Sequence, residues 1–315
     1  MVQRFFLLCC LLTSLAGYAQ NRSQYTRRIF LASASKYAPR PWNLRDSLIR
    51  DTSVCRVYYR HRFVMDTMQH KEVTTVMVCD IGESYTSYFS LALRLSHVIF
   101  TKVKAEAEKM GRYAGMSVRY TPTESERELK EFAGDAGTVN SEIWLDRSQC
   151  TLTERAADYA EENMAYEYEE PQPVLGWNVS GEHRQICGYD CIKATIRFRG
   201  REWTVWFAPE IPLPYGPWKL GGLPGLILEA EDCRKHFVWE CCGIEQEVRP
   251  MARYVIPTRK LTRSKFNDWM TRFHRFPYEV IDGGRGTTLI QTNTAQGLKA
   301  MDSDWTLPYN PIELE

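Results

Sequence analysis

The sequence predicts a mainly β (α+β) fold, a curved antiparallel sheet or open half-barrel with a few packed helices. Two segments carry this prediction, residues 55–90 and 192–207, because apolar and polar residues alternate in them as in half-buried strands. The aromatic content of 12% argues against a disordered chain. No internal repeat or low-complexity linker divides the 315 residues, so one β-rich domain is predicted over residues 52–248.

The N-terminus is predicted to be a signal peptide. Residues 1–19 combine Arg4, an apolar run over residues 5–12 and small residues before a cut after Ala19. No later stretch reaches the ~18–20 apolar residues that span a bilayer. The chain is therefore expected to be exported, soluble after cleavage, and located in the periplasm or at the cell surface. Residues 20–51 are basic and polar and are predicted to be a loosely held lead-in.

The first hairpin is predicted from residues 54–64 and 72–80, which read as strands joined by a polar stretch. A hairpin centred near Thr67 places Cys55 opposite Cys79. Directly opposite residues lie within the reach of a disulfide, so this pair is the predicted bridge.

Helices are predicted to follow this hairpin and to end the chain. Residues 91–110 carry apolar residues at helical spacing. A capping box over residues 123–126 opens a second helix, which ends at Gly134. In the C-terminal extension, residues 249–315, Thr262 caps a helix that stops before Pro277.

Two further hairpins are predicted in the central block. Strands over residues 192–198 and 203–207 are joined at Gly200. Residues 226–228 and 237–239 suggest a second hairpin, and a helix over residues 226–233 remains open as an alternative because short apolar runs are ambiguous.

The charge balance excludes a nucleic-acid binder. Without residues 1–19, which contain Arg4 and no acid, the chain carries 39 basic and 39 acidic residues, whereas nucleic-acid binders show a strongly basic face. The acids Glu167, Glu169 and Glu170 are interpreted as part of a solvated acidic edge, and Arg197 and Arg201 as part of a solvated basic sheet face.

The cysteines favour disulfides over a metal site. Eight remain after the signal peptide, and eight permit 105 connectivities that the sequence cannot choose among; they are Cys55, Cys79, Cys150, Cys187, Cys191, Cys233, Cys241 and Cys242. There is no C-x-x-C pair and no H-E-x-x-H, so no metal ligands and no cofactor are predicted.

Residues 209–225, the proline–glycine loop, form the most informative segment. They contain five prolines and four glycines, which favour a loop held in one shape and let the chain cross tightly against a sheet. A phosphate-binding loop is disfavoured because no Lys-Ser/Thr follows the glycines. Tyr215, Trp218 and Leu223 are the candidate ligand-binding residues, predicted to form an apolar rim.

The same loop carries a family resemblance. Gly222-Leu223-Pro224-Gly225-Leu226-Ile227 is the hexapeptide that names the GLPGLI family of exported Bacteroidetes proteins. Flanking segments, residues 186–194 and 216–220, are similar to that family as well. The resemblance implies an exported β-rich domain of uncharacterised activity and supplies no catalytic residues. There is a looser similarity to the bowl-shaped N-terminal domain of some flavobacterial glycoamidases and to open half-barrels that carry lipoproteins or lipids.

No catalytic residues are predicted. A thiol–imidazole pair of Cys191 with His183 or His236 is disfavoured as a nucleophilic site, since Cys191 begins a strand and a disulfide would remove its thiolate. The preferred function is a non-enzymatic ligand- or protein-binding domain of the cell envelope. Its expected partner is an apolar small molecule, a lipid, a peptide or an outer-membrane protein. The alternative is a hydrolase of peptide or glycan whose site is assembled only in the fold, and a third possibility is an assembly partner of an outer-membrane complex.

Overall fold

The computed structural model describes residues 47–95, 98, 109, 123–134, 141–157, 164–276, 290–294, 297–300 and 307–315. The predicted signal peptide and residues 20–46 of the lead-in lie outside these ranges. Residues 91–95 are helical as predicted, and most of the remaining helix predicted to residue 110 also lies outside them. None of the helices in the described ranges is long and apolar enough to cross a membrane.

Most of the described chain is β-structure. Thirteen strands form the large sheet: β1 (Ser47–Asp66), β2 (Lys71–Gly82), β3 (Tyr85–Ser90), β4 (Ser141–Asp146), β5 (Thr151–Ala157), β6 (Ala165–Pro171), β7 (Asn178–Ile186), β8 (Tyr189–Phe198), β9 (Arg201–Ala208), β10 (Leu226–Asp232), β11 (Phe237–Glu245), β12 (Arg249–Tyr254) and β13 (Thr258–Lys260). Strands β14 (Ile290–Thr294) and β15 (Gly297–Ala300) form a separate hairpin.

The predicted mainly β fold is confirmed. The strand order of the large sheet is β13-β6-β5-β4-β3-β2-β1-β11-β10-β9-β8-β7, with β12 also paired to β1. Neighbouring strands are antiparallel except β6 and β13, which are parallel. The sheet is not closed, so β13 and β7 are its two end strands.

The first hairpin forms as predicted, but its register is shifted by two residues. Val64 pairs with Glu72, so the hairpin is centred on Met68 rather than Thr67. Cys79 consequently lies opposite Val57, and Cys55 lies opposite Ile81. Cys55 and Cys79 are diagonal neighbours with free thiols, so the structure does not contain the predicted bridge between them.

Both central hairpins are confirmed, and the alternative helix over residues 226–233 is wrong because residues 226–232 form β10. The β8–β9 turn consists of Arg199 and Gly200, which have φ values of 51° and 74°. Two consecutive positive φ values define a type I′ turn, whose twist matches that of the paired strands.

The two helices with complete bounds, α1 (Glu124–Ala133) and α2 (Arg263–Arg275), begin at the predicted caps. Thr123 and Glu126 form the reciprocal hydrogen bonds of a capping box at α1, which ends before Gly134. The Thr262 side chain accepts a hydrogen bond at the start of α2. These local signals are reliable because a cap involves only residues within one turn.

The core divides into two main layers because residues alternate across the strands. Val57 and Tyr59 of β1 face a large cluster that also contains Trp203, Phe207 and Trp239. On the other face, Tyr58 joins a smaller cluster, which includes residues of the helical segments at 91–95 and 129–133. The face of the sheet that carries Val57 and Tyr59 is therefore packed with large aromatic side chains of the protein itself.

The boundaries predicted for the β-rich domain are corrected. β1 begins at Ser47, inside the predicted lead-in, and pairs with β12, which lies in the predicted extension. β13 and α2 also belong to that extension, and they pair with or pack on β6. The 51/52 and 248/249 boundaries therefore do not separate structural units, because the long β1 extends past β11 and its backbone groups there are paired by β12.

The C-terminal residues 307–315 bind to the large sheet. The Arg201 guanidinium donates hydrogen bonds to the carbonyl oxygens of Pro311 at 2.6 Å and Ile312 at 2.9 Å. The Leu314 amide donates to the Arg199 carbonyl at 3.1 Å. This segment, the C-terminal tail, therefore covers the β8–β9 turn.

The predicted solvated charges are in part buried. Arg201 pairs with buried Asp232 at 2.9 Å, so it does not lie on a solvated face. Glu167 pairs with Arg253 at 2.9 Å, and Glu170 with Arg199 at 2.5 Å, whereas Glu169 is half exposed. The interpretation as a solvated edge is wrong for Glu167 and Glu170, because residues distant in sequence supply cations that one-dimensional patterns do not reveal.

Candidate functional site

The proline–glycine loop joins β9 to β10 and is closed by its own backbone hydrogen bonds. The Gly222 amide donates to the Pro214 carbonyl at 2.9 Å, and the Leu226 amide to the Ile211 carbonyl at 2.9 Å. A Cβ at Gly225 would lie 2.3 Å from the Ala208 carbonyl oxygen, so only glycine permits this approach. The predicted tight crossing against the sheet is confirmed here.

A cavity of about 40 Å³ lies between this loop and the sheet. The loop contributes Pro214, Tyr215, Gly216, Trp218, Lys219, Leu220 and Gly221. The remaining wall consists of Cys79, Thr86, Tyr88, Ile143, Leu145, Leu152, Gln172 and Pro173. Most of these side chains are apolar or aromatic, so the cavity favours an apolar group.

Two of the three predicted rim residues line this cavity. Tyr215 and Trp218 are in its wall, whereas Leu223 is not and packs in the main core. All three are buried, with exposed fractions of 8%, 7% and 2%. The predicted rim is therefore corrected to an inner wall. Burying these apolar side chains against the sheet lowers the free energy of the folded protein relative to leaving them in water.

Trp218 is held in an uncommon backbone conformation. Its φ of 54° lies in the left-handed region, where a bulky residue is rare. The indole packs against Phe198 and Trp203, each with ring centroids 5.5 Å away. This packing compensates for the backbone strain and fixes the wall of the cavity.

Lys219 continues from the cavity wall into a buried group of charges. Its Nζ lies 2.9 Å from Glu154, 3.3 Å from Glu170 and 2.5 Å from Glu313, and it donates a hydrogen bond to the Tyr168 hydroxyl. These five residues are the Lys219 cluster. They come from β5, β6, the proline–glycine loop and the C-terminal tail.

The Lys219 cluster keeps the lysine charged. Burial by itself lowers the pKa of Lys219, but the three carboxylates outweigh it and the pKa is raised. Burial raises the pKa of Tyr168, and Glu154 raises it further, so the phenol stays neutral. Arg199 and Arg263 also pair with Glu313, which brings the cations to the same number as the carboxylates.

Two side chains of the cavity wall, Cys79 and Lys219, are held in forms that are poor nucleophiles. Burial raises the pKa of the Cys79 thiol well above its usual value, so the thiolate is scarce at neutral pH. Lys219 is a paired ammonium ion and lacks the free electron pair that attack requires. Both groups therefore fit a structural role in the cavity wall.

The structure does not bring the thiol of Cys191 and the imidazole of His183 together. In the β7–β8 register, His183 lies opposite Ile192, and Cys191 lies opposite Arg184. Successive residues of a strand face opposite sides, so the imidazole and the thiol point away from each other. The imidazole instead contacts Asp190 at 2.8 Å.

His61 is a feature that the sequence analysis missed. Its ring stacks on Trp239 with centroids 4.5 Å apart and on Phe63 at 4.9 Å, and neither ring nitrogen has a hydrogen-bond partner. Burial lowers the pKa of His61 to about 3. Strand alternation places residue 61 on the same face as Val57 and Tyr59, and this signal predicts its burial.

The Lys219 cluster was also missed. The one signal in the sequence that could have predicted this cluster is the position of Lys219 between Trp218 and Leu220, in a loop predicted to lie against the sheet. Its partners lie 49 to 94 positions away along the chain. Among the residues that the structure describes, no three His, Cys, Asp or Glu side chains are placed to hold a metal ion.

No family model and no curated protein matches the chain. Among solved structures, two crystal forms of PNGF-II are similar. One has a TM-score of 0.42 and 13% identity over 70% of this chain and 34% of that chain. The other has a TM-score of 0.42 and 12% identity over 71% and 33%. This chain spans about a third of the length of those chains, and the likeness is too low to bear on function.

Proposed function

We propose that this protein is a non-enzymatic binding protein that holds a small apolar group of a peptide or protein ligand beneath the proline–glycine loop. The observation that carries the proposal is the cavity of about 40 Å³ with Tyr215 and Trp218 in its wall. A loop closed by its own hydrogen bonds presents a preformed site, which lowers the entropy lost on binding.

The size of the cavity selects the ligand class. A cavity that binds benzene has about 150 Å³, so 40 Å³ accepts a methyl or isopropyl group and excludes an aromatic ring. An acyl chain needs far more room, and Trp203 and Trp239 are packed in the buried cluster on this face. These dimensions favour a small aliphatic side chain of a peptide over a lipid.

The chemistry of the wall supports binding rather than catalysis. The Cys79 thiol has a raised pKa and Lys219 is held as a cation, so neither is a nucleophile at neutral pH. The hydrolase alternative requires an acid–base pair facing a cleft. No contact in the described cavity wall favours it, and it stays a prediction of the sequence alone.

The proposal includes the place of the protein and its family. The signal-like residues 1–19 and the hexapeptide at 222–227 support an exported cell-envelope protein related to the GLPGLI family. In that setting the ligand is an extended peptide segment, free or part of an outer-membrane protein.

The experiment that tests the binding site uses methyl-labelled protein and blocked tripeptides with Ala, Val or Phe at the centre. We expect the Val peptide to shift the methyl resonances of Ile143, Leu145 and Leu152, because these side chains line the cavity. The Phe peptide is expected to leave them unchanged. The variant Leu145→Phe fills the cavity and should weaken binding at least tenfold.

A matched control is Val179→Phe, which adds an aromatic ring at an exposed position of β7. It should bind the Val peptide as the wild type does. Absence of methyl shifts at millimolar peptide, or unchanged binding by a folded Leu145→Phe variant, contradicts the proposal.

A further inference from the structure

Cys187 and Cys241 belong to different hairpins and meet in space. Cys187 lies in the β7–β8 turn, and Cys241 lies in β11, although β10, β9 and β8 stand between them in the sheet order. The Cys187 Sγ contacts the Cys241 carbonyl oxygen at 3.3 Å. The Cys187 side chain also packs against the large core cluster that contains Cys241.

The turn holds the Cys187 side chain in one direction. Ile186 pairs with Tyr189, which leaves a two-residue turn of Cys187 and Gly188 with φ values of 53° and 85°. Two positive φ values define a type I′ turn. Because this turn has one backbone shape, Cys187 is directed at β11 by the hairpin itself.

The two thiols differ in reactivity. The hydrogen bond with the Cys241 thiol lowers the pKa of Cys187, and the same bond raises the pKa of Cys241. Cys187 is half-buried, whereas Cys241 is buried. An accessible thiol with a lowered pKa attacks disulfides, and a neighbouring thiol then resolves the mixed disulfide.

We propose that Cys187 and Cys241 form a disulfide when the protein meets a low-molecular-weight disulfide such as oxidised glutathione. The Cys187 thiolate attacks one glutathione sulfur, forms a mixed disulfide and releases one glutathione thiolate. Cys241 loses its proton, and its sulfur attacks the Cys187 sulfur, which releases the second glutathione. The protein loses two hydrogens, and the oxidant is reduced to two thiols.

Neighbouring cysteines do not compete for this pairing. The Cys191 thiol donates to the Tyr189 carbonyl oxygen at 3.6 Å, and the Cys242 thiol donates to the Tyr58 carbonyl oxygen at 3.4 Å, so both are directed to other partners than Cys187. Cys242 follows Cys241 in β11 and packs on the opposite face of the sheet. The bridge would therefore join the β7–β8 hairpin specifically to the main core.

The test oxidises the reduced full-length chain with oxidised glutathione, blocks the remaining thiols and analyses tryptic peptides by mass spectrometry. We expect a cross-link between peptides 185–193 and 236–253, which contain Cys187 and Cys241. The link closes a long loop, so the oxidised protein should melt roughly 5–15 °C above the reduced protein.

Cysteine variants identify which two sulfur atoms form the cross-link. Cys187→Ser lies in a turn and should abolish the link, whereas Cys191→Ala and Cys242→Ser should retain it. Glutathione on exposed Cys150 and Cys233 shows that the oxidant was active. The proposal is overturned if these two react and no 185–193 to 236–253 link forms, or if the link persists in Cys187→Ser.

Discussion

The two edge strands of the large sheet, β13 and β7, differ in length, packing and exposure. At one end, β13 has three residues, and α2 packs on β6 through an edge-to-face contact of Phe266 with Tyr168. The Lys219 cluster and the C-terminal tail lie beside it. At the other end, β7 has nine residues, most of them exposed, and its pairing is irregular between Val179 and His183.

The difference shows two physical solutions to the same problem. An unpaired strand edge invites association with other chains, and proteins prevent this by covering the edge or by bulges and charges along it. The β13 end has an edge strand of only three residues with α2 packed beside it on β6, and the buried charged groups there must be paired. The β7 end stays open and carries an irregularity and charged side chains, including Glu182 and Arg184.

The largest expected effect is on the free energy of unfolding, and it is tested by replacing one lysine near each end of the large sheet. Lys219→Met removes the cation that three buried carboxylates share, so we expect the free energy of unfolding to fall by about 3–5 kcal/mol. Lys193→Met removes a partner of half-exposed Glu182 and should cost less than about 1 kcal/mol. Urea unfolding of both variants measures the difference.

Equal losses for the two lysine variants would contradict the comparison. In that case, the Lys219 cluster would be no more important than a surface ion pair. If the free energy of unfolding lost in Lys219→Met is regained when Glu313→Gln is added, the comparison of the two sheet ends is strengthened, because the two charges are then shown to be coupled.

The next-largest expected effect is on the pH dependence of stability, and it compares two histidines, one in the core and one on β7. Burial lowers the pKa of His61 from 6.5 to about 3, so the unfolded chain binds a proton more readily than the folded one. The stability that neutral His61 contributes is complete above pH 6.5 and is lost as the pH falls toward 3. About 3 kcal/mol should be lost by pH 4.

Urea unfolding at pH 7, 5 and 4 checks this expectation. His61→Phe keeps the ring stack and should remove most of the acid sensitivity, whereas His183→Phe on β7 should retain it. The pKa of His274 is also lowered by burial, so a small dependence of the same sign is expected to remain. A His61→Phe variant with the full wild-type pH dependence would refute the assignment to His61.

The smallest effect compares two glycines. Gly200 has φ of +74°, and a Cβ there would lie 2.7 Å from the Leu314 Cβ of the C-terminal tail, so Gly200→Ala should cost about 1–2 kcal/mol. Gly181 on β7 has no atom within 4 Å of an added Cβ, and Gly181→Ala should change stability by less than about 0.5 kcal/mol. Thermal unfolding measures both, and the reverse order would exclude a tightly docked tail.

Much of the fold was predictable because its signals are local. Alternation identified the three hairpins, and Thr123 and Thr262 marked the helix starts, since strand faces and caps depend on adjacent residues. The register of the first hairpin was missed by two residues because turn geometry around Met68, rather than strand pattern, sets it.

The candidate site was only partly predictable. The proline and glycine content of residues 209–225 located the loop, and Tyr215 and Trp218 do line its cavity. Their burial, and the separation of Leu223 from the cavity, depend on how the loop folds over the sheet. That arrangement involves β3, β4 and β5, which no pattern within the loop describes.

The sequence by itself determined the strands of the three predicted hairpins (β1, β2, β8, β9, β10 and β11), the two helix starts and the rigid loop, because each depends on neighbours within a few positions. Only the tertiary structure decided which charges are buried and which thiols meet. Lys219 reaches Glu313 across 94 positions, and Cys187 reaches Cys241 across 54. The energy of such contacts depends on distance and dielectric in space, and a one-dimensional pattern contains neither quantity.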